Sequence, residues 1–267
     1  MDIIGCMISV KRAKGKDSFL LTTNGEEKEY KVQELSPEFV AWNLGQRIFV
    51  LRKMLENIGN PQPHPKGGGG FGAHLPIYIT NNPDNVLFPV NAANKGTGFV
   101  AKEAYLDYYL EKFQKIAQET ELKADASTEE KDAAIRKRIS TILEFYEDTD
   151  KIDLRCLAGL EIWPGRTSKN FVRDPRVSLH FLGMPAHGQP MRYNQWQVNC
   201  IWEKIEADDK RFQFGVALRH LTLGHVGKSF VPGHIPVEQT PIKGVHPFGW
   251  NLWVIETLDK GIEALHS

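Results

Sequence analysis

The stretch Trp196-Gln197-Val198-Asn199-Cys200-Ile201-Trp202 sets Trp196, Val198, Cys200 and Trp202 at every second position. A period of two puts those side chains on one face of an extended strand. The period recurs outward in both directions. Upstream, Val177, Leu179 and Phe181 alternate with polar residues, and residues 157–163 form an apolar run of strand length. Downstream, Glu206-Ala207-Asp208-Asp209-Lys210 reads as a turn, and Phe212, Phe214, Val216 and Leu218 read as the returning strand. Residues 250–255 predict a last strand. Alternating strands joined by short polar turns predict an antiparallel meander over the C-terminal half, curled into a barrel.

The N-terminal half is mixed. Residues 3–10 are an apolar run of strand length. Phe19-Leu20-Leu21-Thr22-Thr23, Asn24-Gly25 and Glu29-Tyr30-Lys31-Val32 predict a β-hairpin, because Asn-Gly supplies the positive φ angles of a tight turn. Ser36-Pro37-Glu38 starts a helix that runs to about Asn57 and stops at Gly59, with Phe39, Val40, Leu44, Ile48, Leu51 and Leu55 as its apolar stripe. Short strands are predicted at residues 77–80 and 86–90 around Asn81-Asn82-Pro83-Asp84. A second helix covers residues 101–119, with Tyr105, Tyr109, Phe113 and Ile116 as its stripe. A third opens on Ser127 with Glu130 in a capping box. The expected fold class is therefore α+β: an antiparallel barrel or meander with inserted helices and an N-terminal β-hairpin. It forms one domain over residues 1–267, divisible into a mixed part, 1–150, and a β part, 151–267.

The 267 residues are enough to bury a sizeable core, and 41% hydrophobic with 25% charged residues is ordinary for a soluble fold. Lys+Arg and Asp+Glu are 33 each, which argues against a protein whose main task is gripping nucleic acid while leaving room for a local basic patch. Cys6, Cys156 and Cys200 are scattered, with no CxxC, so they predict reduced thiols in a cytoplasmic protein. No basic-apolar leader begins the chain, and no apolar stretch is long enough to span a bilayer.

The candidate site is Gly165-Arg166-Thr167-Ser168-Lys169, just before the connector at Asp174-Pro175. Arg166 offers a planar fork, Lys169 a compact charge, and Thr167 and Ser168 two hydroxyls. Such donors at a sheet edge suit a phosphate. The longer stretch Ser168-Lys169-Asn170-Phe171-Val172-Arg173-Asp174-Pro175-Arg176-Val177 resembles the signature of the pyridoxamine-phosphate-oxidase-like split-barrel flavoproteins. Gln197-Val198-Asn199-Cys200 and Pro247-Phe248-Gly249-Trp250 are similar to its later strands. The resemblance covers residues 154–254. Residues 1–150 depart from the family's layout, and Ser168 stands where the family carries Arg. The resemblance implies a flavin mononucleotide (FMN) or deazaflavin with its phosphate at Arg166, Thr167, Ser168 and Lys169. It also implies a homodimer with the cofactor between subunits, and oxidoreductase chemistry carried by the cofactor.

The alternative reading is a non-catalytic nucleic-acid-binding or assembly subunit of a larger complex. It draws on Gly67-Gly68-Gly69-Gly70, on the basic patch around Lys11-Arg12, and on Lys210-Arg211-Phe212-Gln213-Phe214. The histidines His180, His187, His220, His225, His234 and His246 lack metal-ligand spacing. No catalytic triad or acid pair is evident. Trp196, Trp202, Trp250 and Trp253 fall in strands and are expected in the core. The Gly/Pro/His-rich segment 226–249 is a candidate functional loop.

Overall fold

The computed structural model describes residues 8–12, 17–23, 25–59, 72–82, 87–123, 125–162, 164–183, 194–223 and 246–261. The glycine run and most of the 226–249 segment lie outside these residues, as do Asn24, Cys6, His187, His225 and His234. The fold is α+β, with five α-helices and two antiparallel sheets among the described residues.

The small sheet is β1 (Ser9–Arg12), β2 (Ser18–Thr23) and β3 (Glu26–Lys31), in that order. Phe19 pairs with Tyr30 across the expected hairpin, and Gly25 takes the predicted positive φ of 81°. The segment after it enters α1 (Pro37–Asn57), capped by the Ser36 hydroxyl, which accepts the Phe39 N–H. α1 ends just before Gly59, at φ 80°. Phe39 is fully buried, edge-on to Phe181 and Trp196 at 5.0 and 5.7 Å.

The large sheet takes β4 (Ile77–Asn81), β5 (Val90–Asn94), β6 (Gly98–Ala101), β7 (Ile152–Leu160), β8 (Arg176–Gly183), β9 (Asn194–Ile205) and β10 (Gly249–Asp259). Their order is β5-β4-β8-β9-β10-β7-β6. β8, β9 and β10 are antiparallel neighbours, with Val177 opposite Cys200 and Leu252 opposite Trp202, and β10 takes the place beside β9 expected for a strand at 212–218. Between β6 and β7 come α2 (Glu103–Glu119) and α3 (Thr128–Glu147). α3 carries the predicted capping box, with Ser127 and Glu130 exchanging hydrogen bonds. β5 begins at Val90, later than expected, because Pro89 lacks an N–H for the ladder and its carbonyl instead takes the Asn82 N–H.

Two expectations are corrected. Residues 212–218 are not a returning strand. They lie in a helix, α5 (Lys210–Leu223). Phe214, Ala217, Leu218 and Leu221 recur at i, i+3, i+4 and i+7 and are all buried. The Asp209 carboxylate starts the helix by accepting the Arg211 N–H at 2.7 Å. The described strands also close no barrel: β5 and β6 end an open sheet. The missing return strand removes what would have continued the meander. At the other edge, β6 is four residues long, slips register between Phe99 and Ala101, and adjoins α2 and α5.

The core follows from this layering. Tyr109, Phe113, Phe145 and Phe214 bring α2, α3 and α5 together, with ring centroids 4.9 to 6.0 Å apart. α5 is tied to β7 by Arg211, which donates to the buried Asp153 at 2.8 Å. Trp250 is buried against Tyr78 and Phe171, and Trp196, Trp202 and Trp253 also pack in the core as expected. No helix of the described residues is long and apolar enough to cross a membrane.

Candidate functional site

Residues 166–173, expected to be a polar corner and a short connector, form helix α4 (Arg166–Arg173). Its four sequence-predicted residues do not converge. Thr167 and Ser168 are buried, whereas Arg166 and Lys169 face solvent. Helical geometry explains the split. One turn contains both an inward and an outward pair, and Asn170 and Phe171 continue the inward face.

The inward hydroxyls are engaged with protein. Thr167 Oγ1 accepts from Asn91 Nδ2 of β5 at 3.1 Å. Ser168 Oγ donates to the Glu161 carboxylate in a very short hydrogen bond. Glu161 follows β7 and is 1% exposed. Its two carboxylate oxygens take Lys95 Nζ at 2.9 Å each, and Oε1 also takes the Ile162 N–H at 3.1 Å. Gly165 offers no side-chain cap to α4. Glu161 supplies the missing negative charge from outside, beside the positive end of the helix. His246 completes this corner. Its Nδ1 lies 2.8 Å from the Glu161 carbonyl oxygen, which can only accept, so Nδ1 carries the proton. Burial pulls the His246 pKa below the ordinary value. The carbonyl contact opposes this and nearby Arg219 adds to it.

The far end of α4 is tied in the same way. Asp174 is buried and accepts from Asn81 Nδ2 and from Arg176, at 2.8 Å to Nε and 2.7 Å to Nη2. Burial pushes the Asp174 carboxyl up. Arg176, Asn81 and the Arg176 N–H outweigh it, and the net shift is down. Asn170 Nδ2 donates to Thr80 Oγ1 at 3.0 Å. Asn91, Thr80 and Asn81 thus seat α4 along the β4–β5 hairpin.

Arg166, Lys169, Val172 and Arg173 are exposed on the outer side of α4, and Arg173 has a partner of its own. The three cations fall at i, i+3 and i+7, on one side of the helix. Residues 162–183 contain Arg166, Lys169, Arg173 and Arg176 against one acid, Asp174, in a chain of zero formal charge.

Of the four residues the resemblance assigns to a flavin phosphate, Arg166 and Lys169 are exposed, Ser168 Oγ donates to Glu161, and Thr167 Oγ1 accepts from Asn91. Other sequence candidates also resolve. Lys210-Arg211-Phe212-Gln213-Phe214 is no strand-tracking element: Phe212 and Phe214 are buried and Arg211 is paired with Asp153. Arg12 stacks on Trp253, 4.1 Å from the ring centroid. His220 is exposed and His180 half-buried, and among the described residues no three His, Cys, Asp or Glu side chains gather to hold a metal ion. Cys156 is buried, which pushes its thiol up to about 12, outside the range of a reactive thiolate.

Sequence reasoning missed Glu161, Lys95, Asn91 and Asn81. The one available signal was Leu160-Glu161-Ile162-Trp163, a carboxylate inside an apolar run, where an acid needs a partner. Compared with known proteins, the chain matches no family model and no curated sequence.

Proposed function

We propose that the chain is a non-catalytic binding subunit that holds a nucleic-acid backbone along the outer face of α4. The observation that carries this reading is the pair Arg166 and Lys169, both exposed and three residues apart on one side of α4. The acids that adjoin the helix in sequence, Glu161 and Asp174, are buried and ion-paired. The positive field is thus local, which reconciles it with a formal charge of zero. Cations spaced along one face suit a run of phosphates, and each contact releases condensed counterions.

Fluorescence anisotropy with a labelled single-stranded oligonucleotide of about 15 nucleotides tests the reading. Two phosphate contacts at a slope of about 0.7 each lower log K by about 1.4 per tenfold rise in salt. Raising salt from about 50 to about 200 mM should then weaken binding about 7-fold. Replacing Arg166 and Lys169 together by Gln should abolish most of that dependence while leaving the circular dichroism unchanged. Unaltered binding by the double variant, or none by the natural chain at low salt, refutes the proposal. The visible absorption of the purified protein separates it from the flavin expectation: an oxidised isoalloxazine spectrum would favour the flavin.

A further inference from the structure

Arg47, Arg138, Arg155, Arg176, Arg211 and Arg219 are the buried or half-buried arginines among the described residues. All but the last have partners. Arg47 donates to Asn43 and to two carbonyls, Arg138 to Thr120, and the next three pair with Asp153 or Asp174. Arg219 donates no hydrogen bond and meets no acid among the described residues, and burial alone pulls its pKa down. Folded chains pair the charges they take out of water, because an unpaired one is costly. The Arg219 guanidinium is a donor fork that lacks an acceptor from the described residues.

The fold shows what lies beside it. α5 runs alongside β7 in the same direction. Arg211 at its start meets Asp153, and Gly215, one turn on, faces Leu160, whose side chain would be 3.5 Å from an added methyl group. Arg219 is one turn further and therefore lies past the end of β7, beside Glu161 and Ile162. His246 occupies the same corner. It is 7% exposed, its Nδ1–H goes to the Glu161 carbonyl, and the positive charge of Arg219 reaches its ring. Nε2 then carries the lone pair, with no partner among the described residues. The Glu161 carboxylate does not fill the fork, because Lys95 and Ser168 take it.

We infer that Arg219 and His246 form a binding site for a phosphate monoester. Arg219 offers the planar fork that matches two phosphate oxygens. His246 Nε2 and a third oxygen share one proton between them. A monoester suits this because its second proton leaves only at about pH 6. A carboxylate has lost its proton by about pH 5, and a phosphodiester has no second proton to share. The site is separate from the nucleic-acid track: Leu160 meets α5 and Glu161 meets α4, so neighbouring residues send the two helices to opposite sides of the strand end.

Inorganic phosphate is the probe, added to the full chain at about pH 6.5, with acetate at equal ionic strength as the control. At about ten times its Kd, phosphate should raise Tm by about 3 °C or more, and acetate should not. Arg219→Met removes an unpaired charge and keeps an apolar stem. Without phosphate it should leave Tm unchanged or higher, and it should weaken phosphate binding, read by calorimetry, about tenfold or more. His246→Asn keeps a donor for the Glu161 carbonyl, removes Nε2, and should weaken binding about tenfold. A single strand of about 15 nucleotides, with and without a 5′-phosphate, identifies the source. A 5′-phosphate advantage that Arg219→Met erases places the monoester at a strand end, and no advantage assigns the site to a small monoester. A phosphate effect no larger than that of acetate overturns the inference. So does phosphate binding that survives both variants, or a fall in the Tm of Arg219→Met without phosphate, which would make Arg219 a structural cation.

Discussion

Replacing Lys95 by Met should unseat the start of α4. The Glu161 side chain is 2% exposed, and Lys95 is its counter-ion among the described residues, at 2.9 Å to both oxygens, with its own side chain 16% exposed. Removing the ammonium leaves a buried carboxylate that, among the described residues, keeps the Ser168 hydroxyl and the Ile162 N–H. Breaking a buried pair costs about 3 to 5 kcal/mol because the stranded charge stays desolvated. Water can reach the partly open lysine position, which favours the lower end, about 3 kcal/mol. For a chain of this size that corresponds to a fall in Tm of roughly 6 to 12 °C. The double variant Lys95→Met/Glu161→Met removes both charges and should recover most of the loss, since buried pairs often exchange for apolar groups at little cost. Denaturant titrations of the natural chain, both single variants and the double variant give the coupling, expected at about 2 to 3 kcal/mol. Hydrogen exchange should quicken in α4 first, because the clip holds that helix. A Lys95→Met protein within about 0.5 kcal/mol of the natural chain, or a double variant whose loss is the sum of the singles, would refute the reasoning.

Two further outcomes follow from the core and the acids. A methyl group at Gly159 would lie 2.5 to 2.8 Å from the indole of the buried Trp250, so Gly159→Ala should destabilise by about 1 to 3 kcal/mol, read by thermal denaturation. Trp250→Phe should relieve part of that loss. Asp153 and Asp174 both have lowered pKa values: burial raises each, but Arg211 and Arg155 outweigh it at Asp153, and Arg176 and Asn81 at Asp174. A carboxyl depressed on folding adds stability that is complete above its unfolded pKa and vanishes as pH falls through the folded one. Stability should therefore hold to about pH 5 and decline from about pH 4 downward. Asp174→Asn should flatten the decline, and an unchanged acid limb in that variant would exclude Asp174 from it.

Much of the architecture was legible because local chemistry dictates it. Ser36, Ser127 and Glu130 carry the oxygens that helix starts require, and Gly25 and Gly59 adopt the positive φ their turns require. The strands at β8 and β9 showed their period because one face is buried, whereas β10 showed as an apolar run because both faces are buried over residues 249–254. Residues 210–223 failed for a definable reason. Phe214 and Leu218 satisfy a period of two and of 3.6 alike, so the pattern could not choose. The choice lies with the surroundings: Phe113 and Phe145 from other helices receive Phe214, and Leu160 lies against Gly215.

By itself the sequence determined where α1 and α3 begin, which runs become β8, β9 and β10, and that cations gather between residues 166 and 176. Each is a property of a residue and its near neighbours. Only the tertiary structure decided that the sheet stays open, and that Ser168 is spent on Glu161 while Arg166 and Lys169 face water. Lys95 and Glu161 are 66 residues apart, and Asn91 and Thr167 are 76 apart. A buried charge must find its partner wherever the chain brings one, and no local pattern records that distance.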